Sequence, residues 1–374
     1  MSSARHAPVA VGSAEFQRCD TLIDARSPAE YAEDHIPGAQ SFPVLSNEER
    51  ARVGTIYKQA SPFGAKKIGA ALVARNIADH IEKSFSDKDK GWRPLIYCWR
   101  GGKRSGAFAH ILREIGWDAR TLEGGYRAYR RDVVERLARV PQDLRFRVVH
   151  GVTGSGKSRL LGALRAAGAQ VLDLEELAAH RGSVLGDLPG RPQPSQKMFE
   201  SQLLKELTCF DSKREIFVEG ESKKIGQLQV PDALIARMRA SECVLLDTAA
   251  DARVALLLDE YRHFFADQAA LGAQLDCLVA LHGRERVEEW KALAASGAWP
   301  ALVRRLLDEH YDPAYRRSAA HNFPRLAEAP RVRVDAADAT AFDAAARELV
   351  ERAGAKAAEH VAAVGQVKIA ERVA

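Results

Sequence analysis

With 374 residues, 46% hydrophobic and 28% charged, the chain is too long for one ordinary domain and too apolar for disorder, so two domains, or two and an appendage, are expected. No apolar run approaches the roughly 18 residues that span a bilayer, and Met1 to Gly12 lacks the apolar stretch of a signal peptide. Five scattered cysteines with no CxxC pair argue against a disulfide framework or a zinc site and fit a reducing cytoplasm, and a net charge of +5 is compatible with a nucleic-acid partner without requiring one.

In chain order, Thr21 to Ala25 reads as a strand. Ser27-Pro28-Ala29-Glu30 reads as a helix start, with Ser as N-cap, Pro in the first position and Glu in the first turn. His35-Ile36-Pro37-Gly38-Ala39 is a turn in which His35 has a positioning task, and Ala65 to Lys83 is a long amphipathic helix. A short apolar strand, Pro94 to Tyr97, then delivers Cys98 into Trp99-Arg100-Gly101-Gly102-Lys103-Arg104-Ser105, and a helical stretch follows from Gly106 to Ile115. Consecutive N–H groups in such a loop, with a helix N-terminus, form a concave anion site. A thiol held there has a depressed pKa, and the thiolate is the reactive form. Arg100, Lys103 and Arg104 act in the same direction, so Cys98 reads as a nucleophile and not as a small buried hydrophobe. The spacing of Cys, five residues and Arg is also that of cysteine phosphatases, whose Arg forks onto a phosphate. Arg120 to Leu122 is a short strand into Gly124-Gly125, and the alternation of strands and helices implies an open parallel sheet.

A second unit begins near Arg145. The strand Arg147 to His150 runs straight into Gly151-Val152-Thr153-Gly154-Ser155-Gly156-Lys157-Ser158, and a helix follows from Arg159 to Ala167. This is G-x-x-x-x-G-K-S in its proper setting: Gly151, Gly154, Ser155 and Gly156 bring N–H groups to phosphate oxygens, Lys157 reaches the terminal phosphates, and the Ser158 hydroxyl can ligate magnesium. Strands are expected at Gln170 to Leu174, Ile216 to Val218 and Cys243 to Leu246. Glu219, Glu221 and Asp247 lie at or just beyond strand ends, where such a site places its acid, with Glu219 the best placed. The Gly/Pro-rich run from Gly182 to Lys197, Val184 included, reads as a lid or binding loop. From Asp251 onward the pattern is helical. Tyr261, Phe264 and Phe265 form a core stripe, and Arg304-Arg305, Tyr311, Tyr315 and Arg316-Arg317 interleave cations with aromatics, as single-strand RNA surfaces do. The expected division is 10–138, 145–250, a helical part 251–350 and a tail 351–374.

Asp24-Ala25-Arg26-Ser27-Pro28-Ala29-Glu30-Tyr31, His35-Ile36-Pro37-Gly38-Ala39, the Cys98 loop and Leu122-Glu123-Gly124-Gly125 resemble a rhodanese domain. The departure is the loop, which has five residues between Cys and Arg where common sulfurtransferase rhodaneses have four; a larger ring of amides suits a phosphate-sized substrate. Joined to the phosphate-binding loop, Gln193-Pro194-Ser195-Gln196-Lys197, Glu219-Gly220-Glu221-Ser222 and Tyr311-Asp312-Pro313, the chain resembles the bacterial tRNA 2-selenouridine synthases over about residues 10 to 325. The resemblance implies an α/β fold: a rhodanese-like parallel-sheet domain, then a P-loop NTPase-like α/β domain with a helical C-terminal part. It also implies a cytoplasmic enzyme that converts wobble 2-thiouridine to 2-selenouridine with selenophosphate, via S-geranylation from geranyl diphosphate.

In that reading Cys98, Arg104, Glu219 and Glu221 are catalytic, and Trp99 to Lys103 with Ser105 form the anion loop. Gly151, Gly154, Ser155, Gly156, Lys157 and Ser158 hold the diphosphate, with magnesium at Ser158. Arg127, Arg130 and Arg131, on an Arg-rich connection, bind tRNA phosphates. The helical part 251–350 adds to tRNA binding, a selenophosphate-synthesising enzyme is a candidate partner, and the oligomeric state is open. The alternatives are a cysteine phosphatase, a plain sulfurtransferase, and a nucleotide-switched RNA-binding protein with an inert rhodanese module.

Overall fold

Four short parallel strands, β1 (Thr21–Asp24), β2 (Gln40–Ser41), β3 (Pro94–Tyr97) and β4 (Arg120–Thr121), pair in the order β2-β1-β3-β4. All four residues of β3 are buried, as in a strand covered on both faces. The computed structural model describes residues 7–183, 185–335 and 340–354. It divides into two units: one runs up to Arg136 and includes Pro194–Lys205, and the other takes Leu137–Gln193 and the chain from Glu206 onward.

The helices of the first unit are α1 (Ala14–Gln17), α2 (Pro28–Glu33), α3 (Asn47–Gln59), α4 (Pro62–Ser84), α5 (Lys103–Ile115) and α6 (Gly125–Leu137), whose last residue belongs to the second unit. Ser27 and Glu30 close a capping box at the start of α2, with Pro28 in the first turn. Ser61 caps α4 through the Gly64 N–H, so that helix starts three residues before the expected Ala65. Ile23, Ile77, Phe85, Ile96, Phe108 and Leu112 form the core.

In the second unit β5 (Arg145–His150), β6 (Gln170–Leu172), β7 (Glu215–Glu219), β10 (Glu242–Thr248) and β11 (Arg331–Val334) form a parallel sheet in the order β11-β10-β5-β7-β6. A small hairpin pairs β8 (Lys224–Ile225) with β9 (Leu228–Gln229). The central β5 lies between β10 and β7, so connections leave to both sides at its carboxyl end; that crevice is where such sheets bind ligands. The unit also holds α7 (Lys157–Ala166), α8 (Leu174–Ala178), the last four residues of α9 (Gln196–Cys209), α10 (Asp232–Ala240) and α11 (Ala250–Glu260). Further helices follow at Gln268–Asp276, Arg284–Ala295, Trp299–Leu306 and Asp312–Asn322.

The C-terminal region is therefore mainly helical, but β11 breaks it: Arg331-Val332-Arg333-Val334 alternates exposed and buried residues and extends the sheet beside β10. Residues 341–354 are helical and 355–374, most of the expected tail, lie outside the described residues, as does Val184. Among the described residues no helix is long and apolar enough to cross a membrane.

Candidate functional site

In the first unit β3 hands Cys98 to a loop that ends at the start of α5. Cys98 is 4% exposed, and its Sγ lies 3.2 Å from Ser105 Oγ. Burial opposes the thiolate. The Ser105 hydroxyl, the N–H groups of Ser105 and Gly102 and the Arg104 charge outweigh it and hold the thiol below its ordinary range. The Gly124-Gly125 turn clamps this loop: the Tyr126 and Arg127 N–H groups donate to the carbonyls of Cys98 at 2.9 Å and Trp99 at 3.1 Å. A Cβ on Gly125, whose φ is +59°, would stand 2.3 Å from both Cys98 O and Gly101 N, so only glycine lets the two segments meet.

The remaining loop residues divide by direction. Trp99, Arg100, Gly102 and Lys103 are exposed and Gly101 is half-buried. Arg104 turns aside: its Nη1 donates to Glu30 Oε2 at 3.0 Å, and Arg50 pairs with the same oxygen. Ser27, Asn47, Arg50, Trp99 and Arg104 line a shallow cavity there. The other signature residues form the scaffold beneath the loop. Arg26 donates to Asp24 Oδ2 and to the Asp34 carbonyl, both at 2.6 Å, and lies 3.9 Å over the Tyr126 ring, whose hydroxyl donates to Asp34. His35 stacks on Tyr31 at 3.8 Å. On α6, Arg127 and Arg131 are exposed, whereas Arg130 is half-buried and paired with Glu200. Within the same unit Lys197 pairs with Glu33 at 2.5 Å.

In the second unit Thr153 to Ser158 line one end of a cavity of about 380 Å³. Lys157 Nζ donates to the Gly151 carbonyl at 3.0 Å. Gly156 has φ +87°, and a Cβ there would press on Phe342 at 2.5 Å. Side chains from far along the chain hold the loop: Thr248 Oγ1 donates to Ser155 O at 2.8 Å, and Arg253 Nε donates to Thr153 O at 2.9 Å. Asp312 of the Tyr-Asp-Pro motif holds Arg253 in place by two bonds of 2.9 and 2.6 Å. Tyr315 OH accepts from the Gly151 N–H and pairs with His150 Nδ1.

Glu175, Glu221 and Glu260 line this cavity, and Glu219 and Asp173 interact with Glu175. Glu219, 1% exposed at the end of β7, accepts the Glu175 N–H at 2.7 Å through Oε1, while its Oε2 is buried without a partner. Ser158 Oγ donates to Glu175 Oε2 at 3.3 Å. Burial and neighbouring carboxylates raise Asp173, Glu175 and Glu219, and burial raises Glu221 despite the Lys157 charge. Asp247 lies elsewhere, facing Arg333 at 3.7 Å. Gly182 and Ser183 of the expected lid, with Arg181 just before it, line the cavity, while Gln193 bonds to the carbonyls of Ala178 and Ile225.

These shifts set a pH dependence. His150 is pushed down to about 4 by burial and the Lys157 charge; its neutral form stabilises the fold above its ordinary value of ~6.5, and that contribution fades as pH falls toward 4. Glu175, pushed up to about 8 by burial and the Glu221 charge, does the reverse. Its bound proton stabilises the fold at low pH, and the contribution is lost as pH rises through 8. Above ~6.5 the carboxylates dominate, so the melting midpoint of the ligand-free protein is expected to fall by a few degrees between pH 6.5 and 8.5. Glu175→Gln should flatten that slope in scanning fluorimetry; an unchanged slope would count against this assignment.

Beside the cavity lies an apolar slot walled by Leu185, Leu257, Phe264, Trp299, Leu302 and Leu306, among others; Thr153, Ser183, Leu257, Tyr261 and Tyr311 line both spaces. Tyr261 stacks on Phe264, and Phe265 on Trp299. The cations of this region are engaged: Arg304 pairs with Asp251, and Arg305 with Glu289 and Glu309. Tyr311 and Tyr315 turn into the cavity, while Arg316 and Arg317 are exposed.

Residues 12–132 match the rhodanese-like domain model, and residues 144–276 match the model described as the tRNA 2-selenouridine synthase AAA domain. A tRNA 2-selenouridine synthase of Nitrosomonas europaea is 36% identical over 64% of this chain and 63% of that protein. The chain thus spans slightly under two thirds of that relative's length. Those of Sulfurovum sp. and Alcanivorax borkumensis are 31% and 32% identical over 82% and 79% of this chain, covering 90% and 88% of their own lengths. A solved N-terminal domain of a protein described as ATP/GTP-binding, from Clostridium difficile 630, is 33% identical over 34% of this chain and 99% of that one, at a TM-score of 0.30, too low to bear on the fold. With both domain models matched in order and relatives matched over most of their length, the chain belongs to the tRNA 2-selenouridine synthase family.

Proposed function

We propose that this chain is a cytoplasmic tRNA-modifying transferase that converts wobble 2-thiouridine to 2-selenouridine with selenophosphate, by way of S-geranyl-2-thiouridine formed from geranyl diphosphate. The observation that carries the reading is the shared wall between the phosphate-loop cavity and the apolar slot, at Thr153, Ser183, Leu257, Tyr261 and Tyr311. A diphosphate bearing a hydrocarbon tail matches that pairing of a polar and an apolar space.

The thiouridine sulfur attacks the first carbon of the geranyl group, the carbon–oxygen bond breaks, and diphosphate departs with the electron pair. Lys157 and the loop N–H groups neutralise that leaving group. Alkylation makes the sulfur a good leaving group. The selenium of selenophosphate adds at carbon 2 of the base, the carbon–sulfur bond breaks, and geranyl thiolate departs with the electron pair and takes up a proton. Water then cleaves the selenium–phosphorus bond, leaving 2-selenouridine and releasing phosphate. Cys98 supplies a soft thiolate beside the selenium, and the amides of its loop hold the phosphate, with Trp99, Arg100 and Lys103 around it.

Ser158 and Glu219, with its unpartnered buried Oε2, fit a magnesium ion. When bound, it would add positive charge against the diphosphate. Among the described residues no three His, Cys, Asp or Glu side chains form a full metal cage; a cation there would be held largely by the substrate's phosphates and water. Arg127 and Arg131 offer exposed charge for tRNA.

Nucleoside mass spectrometry of tRNA from cells lacking and then regaining this chain tests the reading. The 2-selenouridine and S-geranyl-2-thiouridine peaks should vanish and return together; their persistence without the chain would refute it.

A further inference from the structure

From Arg50 to Asn76 the chain carries six cations, Arg50, Arg52, Lys58, Lys66, Lys67 and Arg75, and no acidic residue. This run forms most of the α3–α4 hairpin between β2 and β3. The hairpin contributes little to the core: α3 buries no residue, and α4 buries only Ala65 and Ile77. All six cations are exposed. Arg50 pairs with Glu30, and the other five make no ion pair among the described residues.

At the tip, Tyr57 is 55% and Phe63 69% exposed, with Lys67 Nζ 5.2 Å from the Phe63 ring. Exposed aromatics set among unpaired cations match RNA: the rings stack on unpaired bases and the ammonium groups meet phosphates. The root of α3 bears on the reactive loop, since Asn47 and Arg50 line the shallow cavity with Trp99 and Arg104. At 1.5 Å per residue, α3 carries this surface ~20 Å from that cavity to the tip.

We propose that the α3–α4 hairpin is a tRNA-binding arm. Lys58, Lys66 and Lys67 take backbone phosphates, and Tyr57 and Phe63 stack on unpaired bases, while the bound RNA reaches along Arg50 and Trp99 toward Cys98. The proposal rests on the reading of tRNA as substrate.

The test measures binding of full-length protein to a fluorescent tRNA transcript across a salt series. Lys58, Lys66 and Lys67→Glu together should weaken binding at least tenfold at physiological salt and reduce the log–log salt slope by roughly 2–3. Tyr57→Ala with Phe63→Ala should weaken binding by roughly 30-fold or more and leave the slope unchanged. Unaltered melting midpoints and Cys98 alkylation rates check folding, and the Lys→Gln triple variant replaces the Glu set if that set misfolds. Wild-type affinity and slope in both variants overturn the proposal. So does loss of binding to phosphatidylglycerol vesicles with tRNA affinity intact, which would mark the tip as a membrane contact. Tip variants that lose tRNA affinity while the wild type forms no 2-selenouridine would support the arm and refute only the functional reading.

Discussion

Replacing Cys98 with serine is expected to abolish 2-selenouridine formation, to the detection limit of nucleoside mass spectrometry, with tRNA affinity nearly unchanged. The substitution is close to isosteric. Serine at this buried position can still face Ser105 Oγ, 3.2 Å from the sulfur it replaces, and the loop stays clamped through the Cys98 carbonyl by Tyr126 N–H. What disappears is a polarizable nucleophile whose thiolate the loop stabilises against the cost of burial. A hydroxyl in the same cradle stays protonated at neutral pH. A companion measurement separates the electrostatic claim from the chemical one: Ser105→Ala should move the pH profile of Cys98 alkylation upward, because it deletes the strongest group favouring the thiolate. Wild-type levels of 2-selenouridine from the Cys98→Ser protein would remove Cys98 from the reaction.

What could be read from the residues depended on how local the causes are. The strand, loop and helix around Cys98 and Lys157 depend on glycine and cation spacing within about ten residues, and both elements appear where that spacing puts them. The partners that finish each site come from far along the chain. Arg253 reaches Thr153, Tyr315 reaches Gly151, and Glu30 takes Arg104. None of these has a local signature, although the Tyr-Asp-Pro motif did flag Asp312, whose task is to hold Arg253. Glu175 was missed because a Leu-Glu-Glu run reads as an ordinary helix start; only the fold brings it beside Ser158. Helix α3 was missed for the opposite reason: it buries nothing, so it has no apolar stripe to detect. The four-residue β11 is too short to stand out from its helical surroundings. That Pro194–Lys205 groups with the first unit is a tertiary fact with no compositional trace.

The second large effect is expected at Lys157. Lys157→Ala should slow formation of S-geranyl-2-thiouridine from geranyl diphosphate by roughly 10- to 150-fold, the equivalent of losing one charge-assisted contact worth ~1.5–3 kcal/mol. Lys157 Nζ donates to the Gly151 carbonyl at 3.0 Å, so the cation is held against the loop that would receive a phosphate. Its removal has a second consequence: the Lys157 charge opposes the upward shifts of Glu175 and Glu221, so without it those carboxylates hold their protons to higher pH. Lys157→Arg keeps the charge but not the compact ammonium, and should fall between the two. In the proposed mechanism, selenation of tRNA that already carries the geranyl group should proceed at the wild-type rate in both variants, because that step is assigned to Cys98 and not to the diphosphate site. If S-geranyl-2-thiouridine accumulates normally in the alanine variant, the loop holds some other phosphate and the apolar slot beside it needs a different occupant.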